Sequence, residues 1–257
     1  MTKPVTFNNP RLAHIERFIV QRQQVSVADI CEMFGISEAT ARRDLDQLAS
    51  TGNIQRIHGG AIANNEAPPE PPVLQRSSWQ QSEKQRIAAL AATLIDVGDT
   101  VFISSGTTSL AVAQMLRDRN DLTIVTNSLP VMNVMAESGN AMIALGGMFR
   151  PSESSFIGHL AVQGLAELRI SKIIFGIRGI DVVHGLTNDY LPETVTDRAI
   201  LSAGRQVIIV ADHTKLGRTA PAFVAPLSAM HTLVTDHAAN TTIVDAIADI
   251  GVRVMLA

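Results

Sequence analysis

Apolar and polar positions follow two different rhythms along this 257-residue chain. Up to about residue 63 the rhythm is helical. Leu12, Ile15, Phe18 and Ile19 recur at helical spacing behind Pro10, a residue suited to a first helical turn. Gln21-Arg22-Gln23-Gln24 interrupts the pattern. Ser26-Val27-Ala28-Asp29 then has the form of a capping box, with Ile30, Met33 and Phe34 as the apolar face behind it. Gly35 ends that helix, Ile36 packs in the turn, and Ser37 caps a third helix that reaches about Ser50. Ala41, Leu45 and Leu48 face inward on it, and Ala39 joins them. Gly52-Asn53 begins a turn. Ile54 to Ile62 alternates as a two-stranded wing broken by Gly59-Gly60.

From about Gln80 the rhythm changes to short, continuously apolar runs. They are Val101–Ile103, Leu122–Val125, Ala141–Leu145, Lys172–Phe175, Val207–Val210, Thr232–Val234 and Val252–Met255. Helix-like stretches such as Leu110–Leu116 and Val131–Ala136 separate most of them. Strands that are apolar at every position and alternate with helices predict an α/β domain, with a mainly parallel sheet covered on both faces. Between the two rhythms, residues 64–72 carry four prolines and a single small apolar side chain, Ala67. Such a stretch cannot continue a helix or a central strand. The reading is therefore a helical domain over 1–63, a Pro-rich linker over 64–79 and an α/β domain over 80–257.

Composition changes this picture little. The chain is 46% apolar and 18% charged with a formal net charge of −3, enough for a small domain plus one with a full core. Residues 1–63 sum to +1 and the remainder to −4. That asymmetry is small, so any claim on nucleic acid must rest on local features. The single cysteine, Cys31, excludes an internal disulfide and a multi-cysteine zinc site. The seven histidines are scattered without ligand spacing, so no metal is expected. No secretory pattern and no membrane-length apolar run is present, which predicts a soluble, cytoplasmic protein with no membrane partner.

Chemistry concentrates in two places. The helix, glycine turn and Ser-capped helix of residues 26–50 form a helix-turn-helix, whose second helix enters a DNA major groove. Ser37, Glu38 and Thr40 stand near the start of that helix. Arg42 and Arg43 suit bidentate contacts to guanine or charge-assisted contacts to phosphate. Arg56 and His58 on the wing reach phosphates or a minor groove. On pattern alone, an ordinary helical hairpin with a solvated charged face fits equally well.

The second place is Ser104-Ser105-Gly106-Thr107-Thr108, where a buried strand turns into a helix. Free backbone N–H groups, hydroxyls and the positive end of a helix dipole suit a phosphate there, although Gly-Thr-Thr also caps helices for structural reasons alone. Neither a P-loop nor a Gly-x-Gly-x-x-Gly turn is present, so no nucleotide cofactor is expected. Asn127-Ser128, Gly146-Gly147, Arg178 with Asp181, and Lys215 follow other strands. In an open parallel sheet the ends of the strands share one mouth.

These strings carry a resemblance. Ser37-x-x-Thr40-x-Arg42-Arg43-Asp44-Leu45, with Arg56-x-His58-Gly59-Gly60-Ala61, resembles the DeoR family of sugar-metabolism repressors. In the second domain Gly106-Thr107-Thr108, Thr126-Asn127-Ser128, Gly146-Gly147, Gly179-Ile180-Asp181 and Ala211-Asp212-His213-Thr214-Lys215 resemble the same family's effector domain. That domain is similar in fold to ribose-5-phosphate isomerase and glucosamine-6-phosphate deaminase. The resemblance implies a repressor that releases operator DNA under the control of a phosphorylated sugar or polyol. It implies recognition by Ser37, Thr40, Arg42 and Arg43, phosphate held by Ser105 to Thr108, Lys215 orienting the ligand, and Asp181 and Glu193 binding hydroxyls. Two positions depart from the family pattern: Ser104 replaces an Asp, and Asp197 replaces a Lys. A changed ligand or an altered response explains both.

The alternative from another class is a sugar-phosphate isomerase or deaminase with an appended DNA-binding domain, using Asp181, Glu193 or Asp212 as its base. A sheet domain that only associates with copies of itself is a third reading. Because one helix-turn-helix buries little surface and symmetric operators need paired readers, a homo-oligomer, dimer or tetramer, is expected.

Overall fold

The computed structural model describes residues 10–22, 24–50, 54–63 and 71–257. The turn at Gly52-Asn53 and the first part of the Pro-rich stretch lie outside them. The chain divides into two compact units, Met1–Pro68 and Pro69–Ala257.

In the smaller unit α1 (Pro10–Arg22) and β1 (Gln24–Ser26) precede α2 (Val27–Phe34) and α3 (Glu38–Ala49), and β2 (Ile54–Ile57) and β3 (Gly60–Ala63) form the wing. Ser26 closes a complete capping box with Asp29, and Gly35 ends α2 at φ +62°. The core comprises Leu12, Ile15, Ile19, Val25, Ile30, Ala41, Leu45, Leu48 and Ile54. Three sequence expectations are corrected. Met33 is 55% exposed, and Ala39 is exposed because it lies nearly half a turn away from the Ala41–Leu45–Leu48 stripe. The interruption after residue 21 contains β1, which makes the wing three-stranded in the order β1-β3-β2. A three-residue strand shows no period for a pattern to reveal.

The larger unit opens with a 3-10 turn, Val73–Arg76, and runs α4 (Gln81–Ala92), β4 (Thr100–Ile103), α5 (Thr107–Leu116), β5 (Thr123–Thr126), α6 (Leu129–Met135), β6 (Ala141–Ala144), β7 (Met148–Arg150), β8 (Ser155–Ile157), α7 (His159–Ala166) and β9 (Ile170–Gly176). It continues with β10 (Gly179–Asp181), β11 (Gly185–Asn188), a 3-10 turn at Leu191–Glu193, α8 (Thr194–Ala203), β12 (Gly204–Val210), a 3-10 turn at His213–Lys215, β13 (Ala222–Ala225), β14 (Thr232–Thr235), α9 (Thr241–Asp249) and β15 (Arg253–Leu256). All seven apolar runs become strands of one parallel sheet, ordered β15-β14-β12-β9-β4-β5-β6.

Alternation within each run sorts side chains to opposite faces. Val101, Ile103, Ile124, Ile174, Ile208 and Val210 pack with α4, α5 and α6. Phe102, Val125, Ile173, Phe175, Val207 and Ile209 pack with α7, α8 and α9. The edge strand β6 departs from the expectation of full coverage, since all four of its residues are exposed. The hairpin of β7 and β8 and the antiparallel sheet β10-β11-β13 have no counterpart in the sequence reading.

The strand order sets a topological switch point between β4 and β9. From β4 the chain winds outward through β5 to β6, then returns to place β9 on the other side of β4. The connections after β4 and β9 therefore diverge and leave a crevice beyond their carboxyl ends.

Candidate functional site

On the smaller unit, α3 carries the polar side chains that the sequence predicts to meet a DNA groove. Ser37 caps it, its Oγ accepting from the Thr40 N–H at 3.3 Å and lying 3.0 Å from the Thr40 hydroxyl. Glu38 pairs with Arg42 at 2.9 Å, one helical turn on, while Arg43 extends exposed beside it. Asp44 is buried and takes a two-pronged contact from Arg11 at 2.8 and 3.1 Å, which locks α3 to α1. Arg56 is tied down: it donates to Asp46 at 2.9 Å and to the Gly60 carbonyl at 2.8 Å. His58 is exposed at the wing tip.

On the larger unit, the crevice between β4 and β9 gathers part of the set read from sequence. Gly106, at φ +106°, turns β4 into α5 with no side chain capping the helix. The first N–H groups of α5 therefore remain open to an anion. Ser104 is already committed. Its Oγ accepts from the Gly176 N–H at 3.0 Å and lies 3.0 Å from the Ser109 hydroxyl, which sews β4 to β9. A carboxylate there could accept from both neighbours but could not donate to the Ser105 carbonyl, which lies 3.1 Å from the Ser104 hydroxyl. Ser128 caps α6, and Thr126 donates to the Ile103 carbonyl at 2.7 Å. Asn127 is buried, donates to the Phe156 carbonyl at 2.9 Å and keeps an Oδ1 with no partner.

Four cations converge beyond β9 and β12. Arg178 bonds Asp189 at 2.9 Å. Lys215 lies close enough to Arg178 and Arg76 for each to depress its charging, and burial brings its ammonium down to about 8. Lys84 is likewise lowered to about 8 by burial, with Lys215 and Arg76 adding to the effect and Asp212 opposing it. Arg76 and Lys84 were not singled out in the sequence. A signal for Lys84 existed, because it falls on the same helical stripe as Ile87, Ala88 and Ala91 and is buried with them.

A second polar group lies toward the hairpin of β7 and β8. Arg150 pairs with Glu193 and stacks over the Tyr190 ring at 4.7 Å. Glu193 is buried, and that burial pushes its carboxyl up to about 7 against the pull of Arg150. Asp197, also buried, accepts from Asn188 at 2.6 Å, and desolvation raises it well above the usual carboxylate range.

Other residues stand apart. Asp181 closes its own turn, accepting from the N–H groups of Val183 and His184 at 2.9 and 2.8 Å. Gly146 and Gly147 follow the edge strand, two strands from the crevice on the β4 side. A side chain at Gly147 would meet the Ile157 carbonyl at 2.5 Å, so its smallness serves the hairpin. Among the described residues no group of three or more His, Cys, Asp or Glu could hold a metal. No described helix is long and apolar enough to cross a membrane.

Comparison with known proteins agrees with this two-part layout. Residues 11–67 match the DeoR-like helix-turn-helix domain and residues 79–237 the DeoR C-terminal sensor domain. The transcriptional repressor AccR of Agrobacterium fabrum is 34% identical, covering 91% of each chain. The glycerol-3-phosphate regulon repressor of Escherichia coli is 35% identical over 91% of this chain and 93% of its own. The transcriptional regulator IolR of Bacillus subtilis is 32% identical over 88% and 90%. Among solved structures, a ribose 5-phosphate isomerase from Methanocaldococcus jannaschii is 12% identical at a TM-score of 0.41, over 53% of this chain and 55% of that one. That similarity is too partial to bear on ligand or chemistry. The chain belongs to the DeoR family, and it is a DNA-binding transcriptional repressor rather than a sugar-phosphate enzyme.

Proposed function

We propose that a phosphorylated sugar or polyol, held in the crevice of the larger unit, controls operator binding by this repressor. The observation that carries the reading is the convergence of Arg76, Lys84, Arg178 and Lys215 next to an uncapped helix N-terminus. Asp189, Asp212 and Glu153 offset part of this positive charge, yet burial and mutual repulsion still lower Lys84 and Lys215, a cost that a dianionic phosphate relieves. Ser105 to Thr108 offer it backbone and hydroxyl donors, and Lys215 orients it. Glu193 and the open Oδ1 of Asn127 suit ligand hydroxyls. Asp181 has that role only if its turn opens. On the DNA side, Ser37, Glu38, Thr40, Arg42 and Arg43 read the groove, and Arg56 and His58 support the wing against the backbone.

The protein acts in the cytoplasm as a homo-oligomer. The exposed β6 edge supports self-association: it offers unpaired backbone groups beside Met142 and Ile143, with Met148 and Phe149 nearby on β7.

A panel of sugar and polyol phosphates beside their unphosphorylated counterparts, read by thermal shift, tests the ligand class. At a hundredfold excess over Kd one phosphate is expected to raise the sensor transition by roughly 5–10 °C. Lys84 and Lys215 are charged below about 8, and a phosphate monoester becomes mainly dianionic as pH rises above its second pKa of about 6. The shift is therefore largest between those limits and declines as pH rises through the upper one. Equal stabilisation by the unphosphorylated sugars would sink the phosphate reading.

A further inference from the structure

Three carboxylates sit among the four cations: Asp189 pairs with Arg178, Asp212 acts on Lys84 and Lys215, and Glu153 holds Arg76. Both carboxylate oxygens of Glu153 lie 2.6 Å from Nη2 of Arg76, with the two side chains only 15% and 9% exposed. Arg76 ends the 3-10 turn Val73–Arg76, the first element after the Pro-rich stretch. Glu153 belongs to residues 151–154, which join β7 to β8. The same short turn receives the Val73 N–H on the Ser152 carbonyl at 2.8 Å and the Leu129 N–H on the Ser154 carbonyl at 2.9 Å. Arg150, immediately before it, donates to the Ser152 hydroxyl at 3.1 Å and pairs with Glu193. Ser154 is held at φ +49°, a conformation a non-glycine residue keeps only when its surroundings impose it.

The turn therefore touches the start of α6, the Glu193 group and the root of the linker at once. From the other side Lys84 donates to the carbonyls of Arg76 and Trp79, so the linker root is clamped at both ends.

We infer that Glu153 is an internal stand-in for the effector's phosphate: it holds Arg76 while the crevice is free of ligand and is displaced when a phosphate arrives. The inference rests on the phosphate-site reading. A dianionic phosphate offers a guanidinium more charge and more acceptors than a carboxylate does. Arg76 lies close to Arg178 and Lys215, on which that reading places the phosphate. Glu153 also faces the like charge of Glu193, which favours its departure. Once Glu153 leaves, the Arg76 tie between turn and linker root is broken. Glu153 is thus a positioning residue that converts occupancy into freedom of the linker root.

The test uses the full chain, with inorganic phosphate and glycerol 3-phosphate as probes. Trp79 is the only tryptophan in the chain and sits at the clamped root, so its emission reports the release. Removing an internal competitor raises the competent fraction, so Glu153→Gln is expected to bind at least one probe about fivefold or more tightly. Its Trp79 emission without phosphate should already match that of phosphate-saturated wild type. Glu153→Asp keeps the charge with a shorter reach and should fall between, which covers the case in which Glu153→Gln folds poorly. A merely structural Glu153 would give variants that are less stable but bind phosphate no better, and that result overturns the inference alone. If wild type binds neither probe, or binds them unchanged in Lys215→Met, the phosphate-site reading falls and takes this inference with it.

Discussion

Arg43 and Arg42 are neighbours in sequence with different freedom. Arg42 is paired with Glu38 along α3, whereas Arg43 projects exposed on the face that would meet a groove. Arg43→Ala is expected to weaken binding to a duplex selected by the wild-type protein from random sequences by about tenfold, a bidentate base contact being worth ~1–3 kcal/mol. Phosphate-induced stabilisation of the larger unit should not change. Loss of both would mean that the substitution unfolds the domain. Residue type and spacing were enough to point to this face. They could not tell that Arg56 spends its guanidinium on Asp46 and Gly60, or that Ser104 spends its hydroxyl on Gly176 and Ser109. Those commitments depend on which strands lie side by side.

At the scale of elements, the long periodic ones were legible and the short ones were not. Seven apolar runs became seven strands; burial on both faces accounts for the inner five, whereas the edge strands β6 and β15 are largely apolar without being buried. Strands of three residues, such as β1, β7, β8 and β10, carry too few positions to show a period. Glycine at one of the new pairings has a clear cause. β3 runs so close to β1 at residue 60 that an added Cβ would stand 2.1 Å from the Val25 carbonyl oxygen. Gly60→Ala must push the two strands apart. A cost of about 2 kcal/mol or more is expected, lowering the smaller unit's transition by roughly 10 °C. Calorimetry should show the larger unit's transition unmoved, and a shift of both would contradict the separateness of the two cores.

At the scale of the whole molecule, the effector reading requires a route from the larger unit to the smaller one, and residues 64–70 join the two along the chain. If the ligand works by altering the spacing of the N-terminal domains, then inserting four Gly-Ser residues within 64–70 should reduce its effect on affinity for the selected duplex. Both separate binding activities should remain. Undiminished coupling in that variant would count against the spacing mechanism. The sequence by itself determined the two-part organisation, the helix-turn-helix and the parallel sheet, because capping residues and burial periods are local properties of the chain. Only the tertiary structure decided what stands around the crevice. The strand order places the switch point between β4 and β9, and Arg76 meets Glu153 across 77 positions of sequence. Long-range charge partners leave no periodic trace, since any surface-compatible Arg or Glu looks alike until the fold brings the two together in a buried place.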